Sequence, residues 1–200
     1  MLQKSIDQID QILTPTQSNI LDAFDLYTKE LKQWNRTHNL TGYKSDEIIE
    51  RYIVDSLYPL SFLPPLKSAL DIGTGAGFPG LILAIAMPQT EWTLVEPLHK
   101  RASFLQFIKA RLSLENVTVC NDRVENLDEM PYELITSRAV SKTETLLSYS
   151  APFRDSGTIL LFYKGEKIED ELPDELDCKI IELKERNFLL IDPTKRCRCY

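Results

Sequence analysis

Apolar side chains at Ile20, Phe24, Tyr27, Leu31 and Trp34 recur at spacings of three and four, the period that predicts a helix with one apolar stripe from about Thr16 to Trp34. A polar, turn-rich stretch from Asn35 to Gly42 interrupts it. Ser45 followed by Asp46 and Glu47 reads as an N-cap with acids in the first turn. It opens a second helix through Ile49, Tyr52, Ile53 and Leu57, which Pro59, Pro64 and Pro65 close. From Ala69 the period changes. Short β-rich runs near 69–72, 92–95, 117–120, 134–136 and 157–163 alternate with helical segments near 81–87, 100–112 and 143–149. An acidic helix through Asp170 and Leu172, broken at Pro173, comes next. The runs at 179–183 and 187–191 are only three residues apart, close enough to pair as a hairpin. Alternation of strand and helix implies an α/β fold, a parallel sheet covered on both faces, and the hairpin adds an antiparallel edge. Residues 1–65 are expected to form an N-terminal helical appendage and residues 66–200 the sheet domain.

At 200 residues and 43% hydrophobic content the chain can bury a full core. Its longest apolar run, after Gly80, falls well short of the roughly 20 residues a bilayer crossing needs. Met1 to Asp7 lacks the apolar core of a secretion signal, which predicts a cytoplasmic protein with no membrane partner. Cys120, Cys178, Cys197 and Cys199 do not form paired metal-ligand spacings, and the two histidines, His38 and His99, lie in unrelated segments; no metal is expected. A net charge of −7 argues against indiscriminate nucleic-acid binding. Acid concentrates between Glu166 and Glu185, however, while Lys100, Arg101, Arg123, Lys142 and Lys164 precede it. Together with Arg36 these are the candidates for a local RNA-facing edge. The tail from Lys195 to Cys199 is basic and expected to be disordered.

The chemistry concentrates in Ala69-Leu70-Asp71-Ile72-Gly73-Thr74-Gly75-Ala76-Gly77-Phe78-Pro79-Gly80, which reads as strand, tight loop and helix start. Alternating glycines accept positive φ and let a ligand lie against peptide N–H groups, and Pro79 suits the first turn of the helix that follows. Gly75 to Gly80 matches the dinucleotide pattern G-x-G-x-x-G, which alone is a weak signal. Asp71 weighs against a dinucleotide, because a carboxylate beside a pyrophosphate repels it. S-adenosyl-L-methionine carries no phosphate and presents an ammonium and a sulfonium instead, which an acid beside the glycines suits. Glu96 ends the second strand about 20 residues further on, the spacing at which a carboxylate takes both hydroxyls of a ribose. The polar cluster from Asn121 to Glu125 closes the third strand where an adenine would sit. Arg138 follows the fourth strand, where the winding of such a sheet reverses, and would point into the cleft. A mostly parallel sheet finished by an antiparallel edge pair is the Rossmann-like architecture of class I S-adenosylmethionine-dependent methyltransferases. On this reading Asp71, Gly73, Gly75, Gly77 and Glu96 face the cofactor, with Phe78 beside them.

Asn39-Leu40-Thr41, Arg51 with Asp55-Ser56-Leu57, the stretch from Asp71 to Gly80, Lys100-Arg101, Arg123-Val124-Glu125 and Ser137-Arg138-Ala139 together resemble the bacterial ribosomal RNA small-subunit methyltransferase G family, also called glucose-inhibited division protein B. The resemblance runs from about Trp34 to Lys164. It implies methylation of N7 of one guanine in 16S ribosomal RNA, as free rRNA or in the small ribosomal subunit, by a monomer using S-adenosylmethionine. It also carries cofactor contacts onto Gly73, Phe78, Val124, Glu125 and Arg138. Two departures stand out. Tyr52 occupies the place of a common histidine, and Ile191-Asp192-Pro193 lacks a frequent lysine. Arg138 is the candidate catalytic residue, holding either the cofactor carboxylate or a substrate phosphate. A nicotinamide-dependent oxidoreductase and a non-catalytic S-adenosylmethionine-binding module are the alternatives.

Overall fold

The structure, a computed structural model, describes residues 17–43, 45–165, 168, 172, 176–183 and 186–192. Among them, seven strands form one sheet: β1 (Ser68–Ile72), β2 (Glu91–Val95), β3 (Val117–Cys120), β4 (Leu134–Arg138), β5 (Ile159–Lys164), β6 (Lys179–Leu183) and β7 (Arg186–Ile191). Their order is β3-β2-β1-β4-β5-β7-β6. The first five are parallel, and β7 runs antiparallel to both β5 and β6. Helices α1 (Gln17–His38), α2 (Asp46–Leu57), α3 (Gly80–Ala86), α4 (His99–Arg111) and α5 (Thr143–Ser150) accompany the sheet.

The alternation of side chains along each strand sorts the core onto two faces. Ala69, Trp92, Leu94, Leu134 and Leu161 belong to one cluster with α1, α2, α3 and α4. Leu70, Ile72, Ile135, Leu160 and Phe162 belong to the other, against Leu146 of α5 and Phe153. The stripe of α1 faces the first cluster, with Phe24, Tyr27 and Leu31 fully buried. The Tyr27 hydroxyl donates to the carbonyl of Ala76 at 2.8 Å, which ties α1 to the glycine loop itself. Burying a phenol without such an acceptor costs about 1–3 kcal/mol, so this contact sets where α1 can lie.

Several boundaries differ from the expected ones. The first helix runs past Trp34 to His38, since Trp34 stacks among Phe104, Phe107 and His38, and Arg36 and His38 place basic groups in the last turn. Ser45 is the N-cap of α2 in extended backbone, without a side-chain cap bond. Pro79 precedes α3 instead of lying in its first turn. The fourth strand continues through Ser137 and Arg138, held by the Ser137 hydroxyl on the Ile72 carbonyl at 2.9 Å and by register with Tyr163. The acidic helix near Asp170, the tail from Lys195, and Cys197 with Cys199 fall outside the described residues. No helix among the described residues is long and apolar enough to cross a membrane, and no group of three His, Cys, Asp or Glu side chains among them is placed to hold a metal ion.

Candidate active site

A cleft of about 470 Å³ opens at the carboxyl ends of the parallel strands, between the glycine loop and the loop joining α1 to α2. On one side it is walled mainly by backbone. The Gly73 and Thr74 N–H groups donate to the Val95 carbonyl at 2.9 and 3.1 Å, and those of Gly77 and Phe78 donate back to the Thr74 carbonyl. Gly73 and Gly75 adopt φ of +69° and +64°. A Cβ added at Gly75 would meet no atom within 4 Å, so this part of the loop borders open space. Glu96 is only 2% exposed, and each of its oxygens accepts one backbone N–H, from Gly75 and from Leu98, both at 2.9 Å. A carboxylate oxygen can accept more than one hydrogen bond, so Glu96 is fixed in place and retains acceptor capacity.

Asp71 stands elsewhere. It is fully buried behind the loop and off the cleft wall, where Oδ2 accepts the Gly80 N–H at 2.9 Å and Oδ1 accepts the Thr136 hydroxyl at 2.7 Å. A Cβ at Gly80 would lie 2.5 Å from the Asp71 carboxyl, so glycine there serves close packing. Burial pushes the Asp71 carboxyl up to about 6, against hydrogen bonds that include those from Thr136 and Gly80. The expectation that this acid faces a cationic ligand is corrected accordingly: the start of α3 draws its charge inward.

The other side of the cleft is built from side chains. Tyr43 and Tyr52 stack at 4.4 Å, with Phe78 edge-on to Tyr43 at 5.8 Å. Arg138 is 7% exposed and its guanidinium carbon lies 3.8 Å from the Tyr52 ring centre, within cation–π range. Its Nη2 makes an ion pair with Asp55 at 3.5 Å, and neither terminal nitrogen has a hydrogen-bond partner among the described residues. Arg186 shares the same Asp55 oxygen through Nε at 3.3 Å. Burial, then the neighbouring Arg186, lowers the Arg138 pKa, and burial pushes the Tyr43 phenol up to about 12.

Of the expected cofactor residues, Gly73, Gly75, Phe78, Glu96 and Arg138 line this cleft. Gly77 does not; its missing Cβ leaves room for Leu81 and Leu105. Val124 is buried beneath the sheet end with Ile72 and Val95, and Glu125 is exposed beside it, both off the cleft wall. Among the expected RNA-facing residues, Arg36, Lys100, Arg123 and Lys142 are exposed, Lys100 donating to the His38 carbonyl. Arg101 lines the cleft and donates to the Leu40 carbonyl. Lys164 departs from this set: it is 8% exposed and donates to the Ser141 carbonyl, placing its charge inside the fold. Two members of the side-chain wall, Tyr43 and Arg186, were not singled out in the sequence, and Asp55, the partner of both arginines, entered there only through the family resemblance. A charged residue opening the last strand was the available signal for Arg186.

The family model described as rRNA small subunit methyltransferase G (GidB) matches residues 20–196. A protein of Wolinella succinogenes named "Ribosomal RNA small subunit methyltransferase G" is 48% identical over 175 residues, covering 88% of this chain and 91% of that protein. One of the same name from Aliarcobacter butzleri is 46% identical, covering 84% of this chain and 87% of that protein. Among solved structures, coclaurine N-methyltransferase bound to N-methylheliamine and SAH superposes with a TM-score of 0.55 at 17% identity, over 81% of this chain and 56% of that one. M. jannaschii TYW2 in complex with AdoMet gives 0.53 at 15% identity, over 70% of this chain and 73% of that one. At those identities the likeness concerns the fold, the class I methyltransferase sheet with its antiparallel edge strands.

Proposed function

The chain belongs to the ribosomal RNA small subunit methyltransferase G family, and from that membership we propose that it transfers a methyl group from S-adenosylmethionine to N7 of one guanine in 16S ribosomal RNA. In this reading it acts in the cytoplasm and as a monomer. The observation that carries the reading is the cleft's composition: a glycine loop bordering open space, a buried carboxylate tied to it, and a buried guanidinium with unused donors. The oxidoreductase and non-catalytic readings are not favoured by the family match.

These residues fit the cofactor. Glu96 would take the ribose hydroxyls with its remaining lone pairs, Gly73 to Phe78 would line the methionine end, and Arg138 would pair with the methionine carboxylate. When bound, S-adenosylmethionine supplies an electrophilic methyl group on a positively charged sulfur. Guanine N7 already carries an in-plane lone pair, so the chain needs no general base. Its task is alignment and exclusion of water, for which Phe78, Tyr43 and Tyr52 provide an apolar wall. Within the N-terminal part, residues 1–65, the described helices α1 and α2 serve as a lid on the methyltransferase domain of residues 66–200, a reading supported by the Tyr27 contact and by Tyr43 and Tyr52 in the cleft.

The test combines binding with transfer. S-adenosylhomocysteine should bind in calorimetry where NAD does not, and labelled methyl should pass to small ribosomal subunits or free rRNA and be recovered as 7-methylguanosine. Binding of NAD, or label recovered in another nucleoside, contradicts the proposal.

A further inference from the structure

Two arginines converge on one carboxylate at the side-chain wall, and one of them is unexplained by the cofactor. Arg138 ends β4, the strand hydrogen-bonded to β1, and so stands next to the glycine loop. Arg186 opens β7, which lies beyond β5 in the sheet order, two strands further from that loop. Register pairs Asn187 with Lys164 at the end of β5, so Arg186 sits just past the strand ends, in the cleft wall beside Tyr52. Asp55 can neutralise only one of the two guanidinium groups that share its Oδ2, which leaves the cluster with a net positive charge in a largely buried setting. Bound S-adenosylmethionine gives its carboxylate to Arg138, but its ammonium and sulfonium outweigh that carboxylate by one charge, so among the described residues the loaded cleft keeps an excess of positive charge over Asp55 and Glu96. The remaining substrate does carry a compensating anion, since every nucleotide of RNA brings a phosphodiester.

We infer that Arg186 binds a backbone phosphate of the rRNA next to the target guanine, while Arg138 serves the cofactor carboxylate. This rests on the proposed rRNA methylation. Asp55 Oδ2 lies between the two guanidinium groups, and Tyr52, whose ring centre is 3.8 Å from one and 5.6 Å from the other, lines the cleft beside both. The division of labour assigns one anion to each arginine, carboxylate toward the glycine loop and phosphodiester toward the sheet edge.

The test compares Arg186→Gln, which keeps a side-chain donor toward Asp55 and removes the charge, with Arg186→Lys, which keeps the charge. Thermal unfolding checks that both fold. Binding of S-adenosylhomocysteine by calorimetry should stay within about twofold of the parent, a change well under the 1.4 kcal/mol that corresponds to tenfold. Binding of 16S rRNA, measured against salt, should weaken roughly tenfold in Arg186→Gln, and the slope of log affinity on log salt should flatten by about 0.7–0.9, the loss of one phosphate contact. Arg186→Lys should retain the parental slope. An unchanged slope in Arg186→Gln overturns the proposal, as does a loss of cofactor affinity, which would move Arg186 into the cofactor half. Because the RNA readout does not depend on turnover, it separates failure of this assignment from failure of the methylation reading, which the transfer assay on the parent protein decides.

Discussion

The two walls of the cleft are built by different means. The loop wall, from Gly73 to Phe78 with Glu96, holds its shape through backbone hydrogen bonds between neighbouring strand ends, and its one carboxylate is gripped by two peptide N–H groups. The opposite wall joins Tyr43 and Tyr52 from the helical segment, Arg138 from the end of β4 and Arg186 from the start of β7, held by stacking and by long ion pairs to Asp55. A backbone wall is rigid and suits a cofactor that is the same in every turnover. A side-chain wall with two arginines gives one to the cofactor carboxylate and leaves the other for a polymer substrate that must enter and leave.

If that contrast is right, the largest effect should come from the loop wall. Glu96→Ala removes the acceptor of two backbone N–H groups and of the expected ribose contacts; at about 1.5–3 kcal/mol for each charged hydrogen bond, S-adenosylhomocysteine affinity should fall roughly 1,000-fold in calorimetry. Retained affinity would break the assignment of that wall to the cofactor.

A somewhat smaller effect concerns Asp71 behind the loop. Its carboxyl, pushed up by burial to about 6 from an ordinary 3.8, keeps its proton in the folded chain at pH values where the unfolded chain has lost it. This group's contribution therefore favours folding at low pH and declines as pH rises from about 4 to 6, by on the order of 3 kcal/mol. Chemical denaturation of the parent and Asp71→Asn across that window should show the stability difference shifting by this amount in the variant's favour as pH rises; parallel curves would remove the titration from the fold. Next comes Gly80→Ala, whose Cβ would crowd both Asp71 and Leu94 at 2.5–2.6 Å. Overpacking of that kind costs about 2–3 kcal/mol, or a melting temperature lower by about 5–10 °C. The smallest effect belongs to the side-chain wall. Tyr52→Leu removes the cation–π contact to Arg138, worth about 1 kcal/mol, and should weaken S-adenosylhomocysteine binding about fivefold with melting little changed. A loss as large as that of Glu96→Ala would erase the distinction between the walls.

The same contrast explains what was legible in the chain. The loop wall lies within one strand–loop–helix unit plus the next strand end, so glycine spacing and the distance to Glu96 were enough to find it. The mostly parallel sheet and its edge hairpin followed from alternating patterns in the same way, whereas the order of the strands did not. Asp71 was found but its direction was not, because the Gly80 N–H and the Thr136 hydroxyl that claim its oxygens are set by packing against α3 and β4. Lys164 looked like surface charge at a strand end, yet β5 is flanked on both sides and its last side chain is covered. Arg186 and Asp55 are 131 positions apart, and only the antiparallel return of β7 beside β5 brings them to one place. Contacts of that range leave no periodic trace in the residues that make them.

The most direct measurement is chemical mapping of the modified base. After incubation with S-adenosylmethionine, 16S rRNA treated with borohydride and aniline is cut where a guanine carries a methyl group on N7. A single new cut, absent without the protein and absent with Glu96→Ala, is the expected result. Methyl incorporation without any such cut, or cuts at many guanines, would contradict a cleft that aligns one guanine N7.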